Sequence, residues 1–218
     1  MERYGDKIVT LDVCNEVFED SGESGEFRKD SLWYKALGED YIELAFQFAR
    51  KANPKVKLYI NDFSVEGKNK KSDALYNLAK KLKSKKLLDG VGFQAHFIVG
   101  QVPNDMQQNL KRFGDLGLET TISELDIRMK VPPSEADMKQ QVEDYVKVVK
   151  ICKALKSCPG IIVWGVAYPD SWIPQEFSGY GNALLFDNDY KPTKAFKAVR
   201  QELDSGKNRD DTQKETKV

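Results

Sequence analysis

One histidine and three cysteines are all that this 218-residue chain offers in imidazole and thiol. So few soft donors give no basis for a zinc centre. Three cysteines cannot make a disulfide scaffold. An excess of one charge is missing too: 34 basic side chains face 34 acidic ones, for a formal net charge of zero. Neither nucleic acid nor a membrane surface is therefore expected as a partner. No stretch approaches ~18 consecutive apolar residues, so no transmembrane helix is expected. The opening MERYGDKIVT has no signal-peptide apolar core. The expectation is either an intracellular protein or one whose natural N-terminus is absent. The chain also lacks a G-x-S-x-G nucleophile elbow and a phosphate-binding glycine loop.

What is present is apolar material: 40% of residues, with 11 Phe, 9 Tyr and 3 Trp. That is enough for a sizeable core and excludes disorder over the whole chain. Cys14 lies in an apolar run and reads as a buried thiol. Cys152 and Cys158 stand near the end of a helical pattern, close enough for a local disulfide if the helix ends between them. Two buried thiols remain the alternative, and a bond there would point to a secreted parent protein.

Along the chain the hydrophobic period switches repeatedly between strand and helix. Strands are predicted over 8–14, 56–60, 91–97, 119–127 and 161–166. Helices are predicted over 31–51, 72–86, 105–113, from Ser134 to about Leu155, and over 193–203. Each strand is followed by a helix, with no hairpin signal between. That alternation argues for an α/β fold with a parallel sheet and crossover helices. Residues 1–203 form the predicted domain, and the polar stretch 204–218 reads as a disordered tail. The basic run Lys80–Lys86 reads as a solvated helix face with Leu82 turned inward, having no aromatics to stack on bases.

The polar residues that stand out lie where strands finish. They are Asn15-Glu16, Asn61-Asp62, Gln94 and His96, Glu124 and Asp126, and Trp164 with the loop holding Trp172. In a parallel β/α array the strand C-termini share one face, where active sites assemble. Alternation places Gln94 with His96, and Glu124 with Asp126, on one side of their strands. Two glutamates on separate strands, several amides and tryptophan faces suit a sugar: paired carboxylates can do acid and nucleophile work at an anomeric carbon.

These segments resemble glycoside hydrolase family 10, the endo-β-1,4-xylanases. The matching strings are LDVCNE (11–16), DSLWYKALGEDYIELAF (30–46), KLYINDF (57–63), GVGFQAH (90–96), TISELDIR (121–128), IIVWGVAYPDSW (161–172) and LLFDNDYKP (184–192). The resemblance implies a partial (β/α)8 barrel, strands four to eight with their helices. Five units at about 40 residues each fall about three units short of eight. The loss is expected on the N-terminal side, since Met1 nearly abuts the first strand.

The resemblance further implies retaining hydrolysis of xylan, with xylan or a xylo-oligosaccharide as partner and no metal or organic cofactor. It makes Glu16 the general acid/base and Glu124 the nucleophile. Asn15 would bond the sugar 2-hydroxyl, Gln94 and His96 would contact the central sugar and the nucleophile, and Asp126 would back the histidine. Trp164 and Trp172 would wall the cleft, with Tyr34 and Asn61 as further cleft residues. Arg128 is read as a structural ion-pair partner. Secretion follows from the family alone.

Two departures bear on activity. The family's first three strands, which grip the sugars before the cleavage point, are missing, and Tyr168 stands where the family usually has Asp. The open barrel edges should make the chain prone to self-association. The alternative expectation is an inactive remnant that binds xylan weakly; a family relative cleaving another β-linked glycan ranks below it.

Overall fold

The computed structural model describes residues 5 and 7–205; most of the stretch read as a polar tail lies outside the described residues. In chain order the elements are β1 (Thr10–Asn15), α1 (Leu32–Leu37), α2 (Asp40–Ala52), β2 (Lys57–Asp62), α3 (Lys70–Ser84), β3 (Gly90–Phe93) and β4 (His96–Ile98). Then come α4 (Met106–Asp115), β5 (Glu119–Lys130), α5 (Glu135–Ala154), β6 (Ile161–Val163), α6 (Ile173–Glu176), β7 (Tyr180–Gly181) and α7 (Lys194–Asp204). The described residues divide into two compact units. One takes the chain up to Ala95 with Pro103–Glu124 and Leu155–Gly160. The other takes His96–Val102, Leu125–Ala154 and the chain from Ile161 on. No helix among the described residues is long and apolar enough to cross a membrane.

In the first unit β1, β2, β3 and the first half of β5 run parallel, with Ile60 opposite Val91 and Phe93 opposite Ile122. Parallel strands need crossovers, and α2, α3 and α4 lie in the connections. The helices bury Ile42, Phe46, Leu75, Leu82, Leu110 and Phe113, while the strands bury Leu58, Ile60, Val91 and Phe93. At about 25 cal/mol per Å2 of apolar surface, such burial is the main favourable contribution to this unit. Asn69 starts α3 with a reciprocal cap: its side chain accepts from Ser72 N while the Ser72 hydroxyl accepts from Asn69 N. The basic run is solvent-facing on α3 with Leu82 buried, as its pattern indicates.

Two predicted elements are broken. The helix expected over 31–51 is α1 and α2, separated at Gly38, whose φ of 61° lies in the left-handed region that glycine occupies freely. The strand expected over 91–97 is β3 and β4, because Ala95 adopts a φ of 63°. The Ala95 amide turns out of the ladder and donates to the buried Glu66 carboxylate at 2.7 Å. Gln94 and His96 are therefore not placed by simple alternation within one strand. The last predicted strand is also shorter, ending at Val163.

In the second unit β4 runs parallel to β5, with His96 opposite Asp126, and the short β7 pairs antiparallel with Met129 and Lys130. Helix α5 buries Tyr145, Val148 and Val149. The Tyr145 hydroxyl donates to Ala183 O at 2.6 Å, so its one polar group is satisfied inside the core. Gln141 donates to Ile127 O and Asn182 O. Cys14 is a free, buried thiol, whereas Cys152 and Cys158 are disulfide-bonded.

Candidate active site

The first unit brings five of the expected site residues together at its strand ends. Glu16 follows β1 in a left-handed conformation, φ 56°. For a non-glycine residue this costs about 1–3 kcal/mol and needs outside support. The support is visible: Glu16 N donates to Asn61 O at 2.9 Å, and Arg28 Nε donates to Glu16 O at 3.2 Å. The backbone turn lets the carboxylate point back over the sheet. There Gln94 Nε2 donates to Glu16 Oε1 at 3.0 Å, and Asn15 Nδ2 reaches the same oxygen at 3.3 Å.

Glu124, on β5, is held by a different amide. Asn61 Nδ2 donates to Glu124 Oε1 at 2.7 Å and to Asn15 Oδ1 at 2.8 Å. Asn15 Oδ1 also accepts from Gln94 Nε2 at 3.3 Å. Both carboxyl groups thus hang on one network of side-chain amides that spans the ends of β1, β2 and β3 and the middle of β5. These amide donors fix both carboxyl groups in place.

Asp12 and Ser123 join this cluster without having been singled out in the sequence. Protein crowds the Asp12 carboxyl on its inner side even though the residue keeps exposed surface. That desolvation first, and the charge of Glu124 second, raise its pKa. The Ser123 hydroxyl donates to Asn61 Oδ1 at 2.6 Å. The alternation Glu119, Thr121, Ser123 along β5 was the available signal, since it sets a polar row along one strand face.

Next to the cluster, Asp62 and Lys71 form an ion pair of 2.8 Å with both side chains fully buried. Burial pushes the Asp62 carboxyl up to about 6, and Lys71 opposes that only in part. The Lys71 ammonium also sits over the Phe63 ring, 3.9 Å from its centre. Tyr34 is further off on α1, tilted against Phe27 at 6.2 Å between ring centres. A cavity of about 770 Å3 opens beside Glu16 between β1 and the α1–α2 helices, lined by Cys14, Arg28, Trp33, Tyr41 and Phe48.

The second unit assembles His96, Asp126 and Trp172. Asp126 is fully buried and its Oδ2 accepts from Trp172 Nε1 at 2.8 Å, with His96 Nδ1 3.0 Å away. The His96 and Trp172 rings meet edge to face, 5.0 Å between centres. A carboxylate at Nδ1 fixes the orientation of the imidazole and its tautomer. Trp164 and Trp172 line a cavity of about 330 Å3 with Gly165 and Asp170. Trp164 is nearly half exposed.

Arg128 corrects an expectation: its guanidinium stacks on the Phe177 ring at 4.0 Å, and it forms no ion pair within 4 Å among the described residues. The aromatic face, not a carboxylate, is what holds it. Tyr168 opens a single 3-10 turn and donates its backbone N–H to Phe186 O. Its phenol is raised by burial and then by the charge of Asp187.

A model described as "Glycosyl hydrolase family 10" matches residues 1–202. An endo-1,4-beta-xylanase of Agaricus bisporus is 41% identical over 200 residues, which is 91% of this chain and 59% of that protein. Endo-1,4-beta-xylanase A of Phanerodontia chrysosporium is 41% identical over 197 residues, 90% of this chain and 47% of that one. Among solved structures, a glycosylated endo-beta-1,4-xylanase from Gloeophyllum trabeum superposes with a TM-score of 0.88 at 48% identity, covering 92% of this chain and 63% of the other. Xylanase 10B from Thermotoga petrophila RKU-1, solved in complex with xylobiose, gives 0.89 at 38% identity, covering 94% and 62%. The chain thus spans about half the length of the curated relatives it matches.

Proposed function

The chain belongs to glycosyl hydrolase family 10 and is built as a partial (β/α)8 barrel; on that premise we propose that it cleaves β-1,4-xylosidic bonds of xylan by retaining double displacement. The observation that supports this reading is the shared amide network: Glu16 and Glu124 come from different strands, yet Gln94, Asn15 and Asn61 tie both into one cluster. Glu124 attacks the anomeric carbon as a carboxylate. Glu16 gives its proton to the departing glycosidic oxygen, and a glycosyl ester on Glu124 results. Glu16, now an anion, takes a proton from water as the water oxygen attacks the same carbon, and the bond to Glu124 breaks. Gln94 and Asn15 orient the acid, and Asn61 orients the nucleophile.

In the second unit, Asp126 orients His96 and Trp172, and the faces of Trp164 and Trp172 are stacking surfaces for xylose rings. Xylan or a xylo-oligosaccharide is the partner, and secretion is the location that the family favours. Exposed Val9, Trp33 and Phe48 support self-association of the isolated chain.

Trapping tests the reading. A 2-fluoro-xylobioside with a good leaving group should label the chain stoichiometrically, and peptide mass spectrometry should place the sugar on Glu124. Glu124→Gln should abolish the label. Attachment to another residue, or no hydrolysis of xylan by the unlabelled chain, would overturn it.

A further inference from the structure

Strand β3 carries glycine at the two positions where its neighbours' side chains cross it. Asn61 on β2 is in register with Gly92, and Gly92 with Thr121 on β5. A Cβ built on Gly92 would lie 2.2 Å from Asn61 Oδ1 and 3.2 Å from Ser123 Oγ. The space that a side chain would fill is therefore taken by a hydrogen bond between the two outer strands. Ser123 Oγ donates to Asn61 Oδ1 at 2.6 Å through that gap.

The bond has a directional consequence. A primary amide has one acceptor end and one donor end. With Oδ1 engaged by Ser123, the Nδ2 end of Asn61 faces Asn15 Oδ1 and Glu124 Oε1, and its two protons match those two acceptors. A flipped amide would set Oδ1 against a carboxylate oxygen and leave the serine proton without an acceptor. Asn61 is buried, so water cannot repair that arrangement cheaply. We propose that Ser123 is a positioning residue: acting through the gap at Gly92, it fixes the Asn61 amide so that the amide presents a donor to Glu124. Its role in turnover rests on the function proposed above; its role in orienting the amide does not.

The test separates the two. In the 15N-labelled chain, the Asn61 side-chain amide is identified by its loss in Asn61→Asp. Its protons should exchange at least about tenfold more slowly than those of an exposed asparagine. Ser123→Val should remove most of that protection while Ser123→Thr, of the same shape but with the hydroxyl, retains it. Gly92→Ala should remove it independently, by displacing Asn61. Exchange unchanged in both Ser123→Val and Gly92→Ala overturns the proposal. On an aryl xylobioside, Ser123→Val should lower kcat about tenfold with KM nearly constant, and Ser123→Thr should restore it. Equal kcat in Ser123→Val and wild type counts against the positioning role. A wild-type chain without turnover removes the proposed function, while the exchange data still decide whether Ser123 orients Asn61.

Discussion

Gln94 Nε2 donates to Glu16 Oε1 at 3.0 Å although 78 positions separate the two residues. The same nitrogen reaches Asn15 Oδ1, so Gln94 ties the Glu16 carboxyl to the Asn15 amide, which itself donates to Glu16 Oε1 at 3.3 Å. Gln94→Leu, similar in size but with no amide, should lower kcat on xylo-oligosaccharides about 10–100-fold, measured by reducing-end release. Undiminished kcat would show that Gln94 does not orient Glu16.

Glu16 and Glu124 should differ in their response to leaving group. Glu16→Ala should slow cleavage of unactivated xylosides by at least about 100-fold yet leave formation of the glycosyl ester from a dinitrophenyl xylobioside close to wild type. Glu124→Ala should slow both. Pre-steady-state release of dinitrophenol distinguishes the two; identical behaviour of the variants would overturn the division of roles, and the opposite pattern would reverse it.

The buried Asp62–Lys71 pair makes stability depend on pH. Asp62 has a pKa of about 6 in the fold, against an ordinary value of 3.8. The folded state therefore holds the proton more tightly than the unfolded chain. Its contribution is fully present below about pH 4 and is lost as pH rises through about 6. Urea unfolding at several pH values should show this fall, and Asp62→Asn should flatten it. Lys71→Met should cost about 3–5 kcal/mol at pH 7, where it strands a buried carboxylate, and less at pH 4.5.

Cys14 should be inert in the folded chain. Burial pushes its thiol up to about 12, so almost none is thiolate at pH 8. Thiol titration should find no fast-reacting group in the native protein, one after denaturation, and three after denaturation with reductant. A fast native thiol would mean that the Cys14 region opens readily.

Exposed apolar side chains should drive association. Val9 is 72% exposed, Trp33 68% and Phe48 62%. Strand β1 pairs with β2 alone among the described residues. Sedimentation velocity should show mass increasing with concentration, and Val9→Lys with Trp33→Glu should reduce it. A monomer at all concentrations would contradict this.

Much of the fold was legible because its signals are local. Runs such as IVTLDVC and VKLYI mark strands, and apolar spacing marks the helices, although the Asn69 cap starts α3 at Lys70, ahead of the expected Ser72. The break at Gly38 was hidden because Leu37 and Tyr41 keep the helical spacing on either side of it. Ala95 carries no left-handed signature, so the split between β3 and β4 had to come from its tertiary bond to Glu66. Asn15, Glu16, Gln94 and Glu124 were readable as polar strand ends. For Ser123 the alternation along β5 gives only its polar face; its bond to Asn61 depends on which strands flank Gly92, a relation no local pattern encodes. Arg128 was misread for a similar reason: a charged residue suggests a carboxylate partner, and the ring that holds it lies 49 positions away in sequence.

The paired glycines of β3 have a consequence for how the chain finds its fold. Tyr59 crosses at Gly90 to bond Glu119, just as Asn61 crosses at Gly92. Were β3 to dock one residue out of step, Val91 would replace a glycine in one of these passages and its branched side chain would block it. The correct alignment is the one that leaves both doorways open, so a strand with almost nothing to pack becomes the gauge against which its neighbours are set.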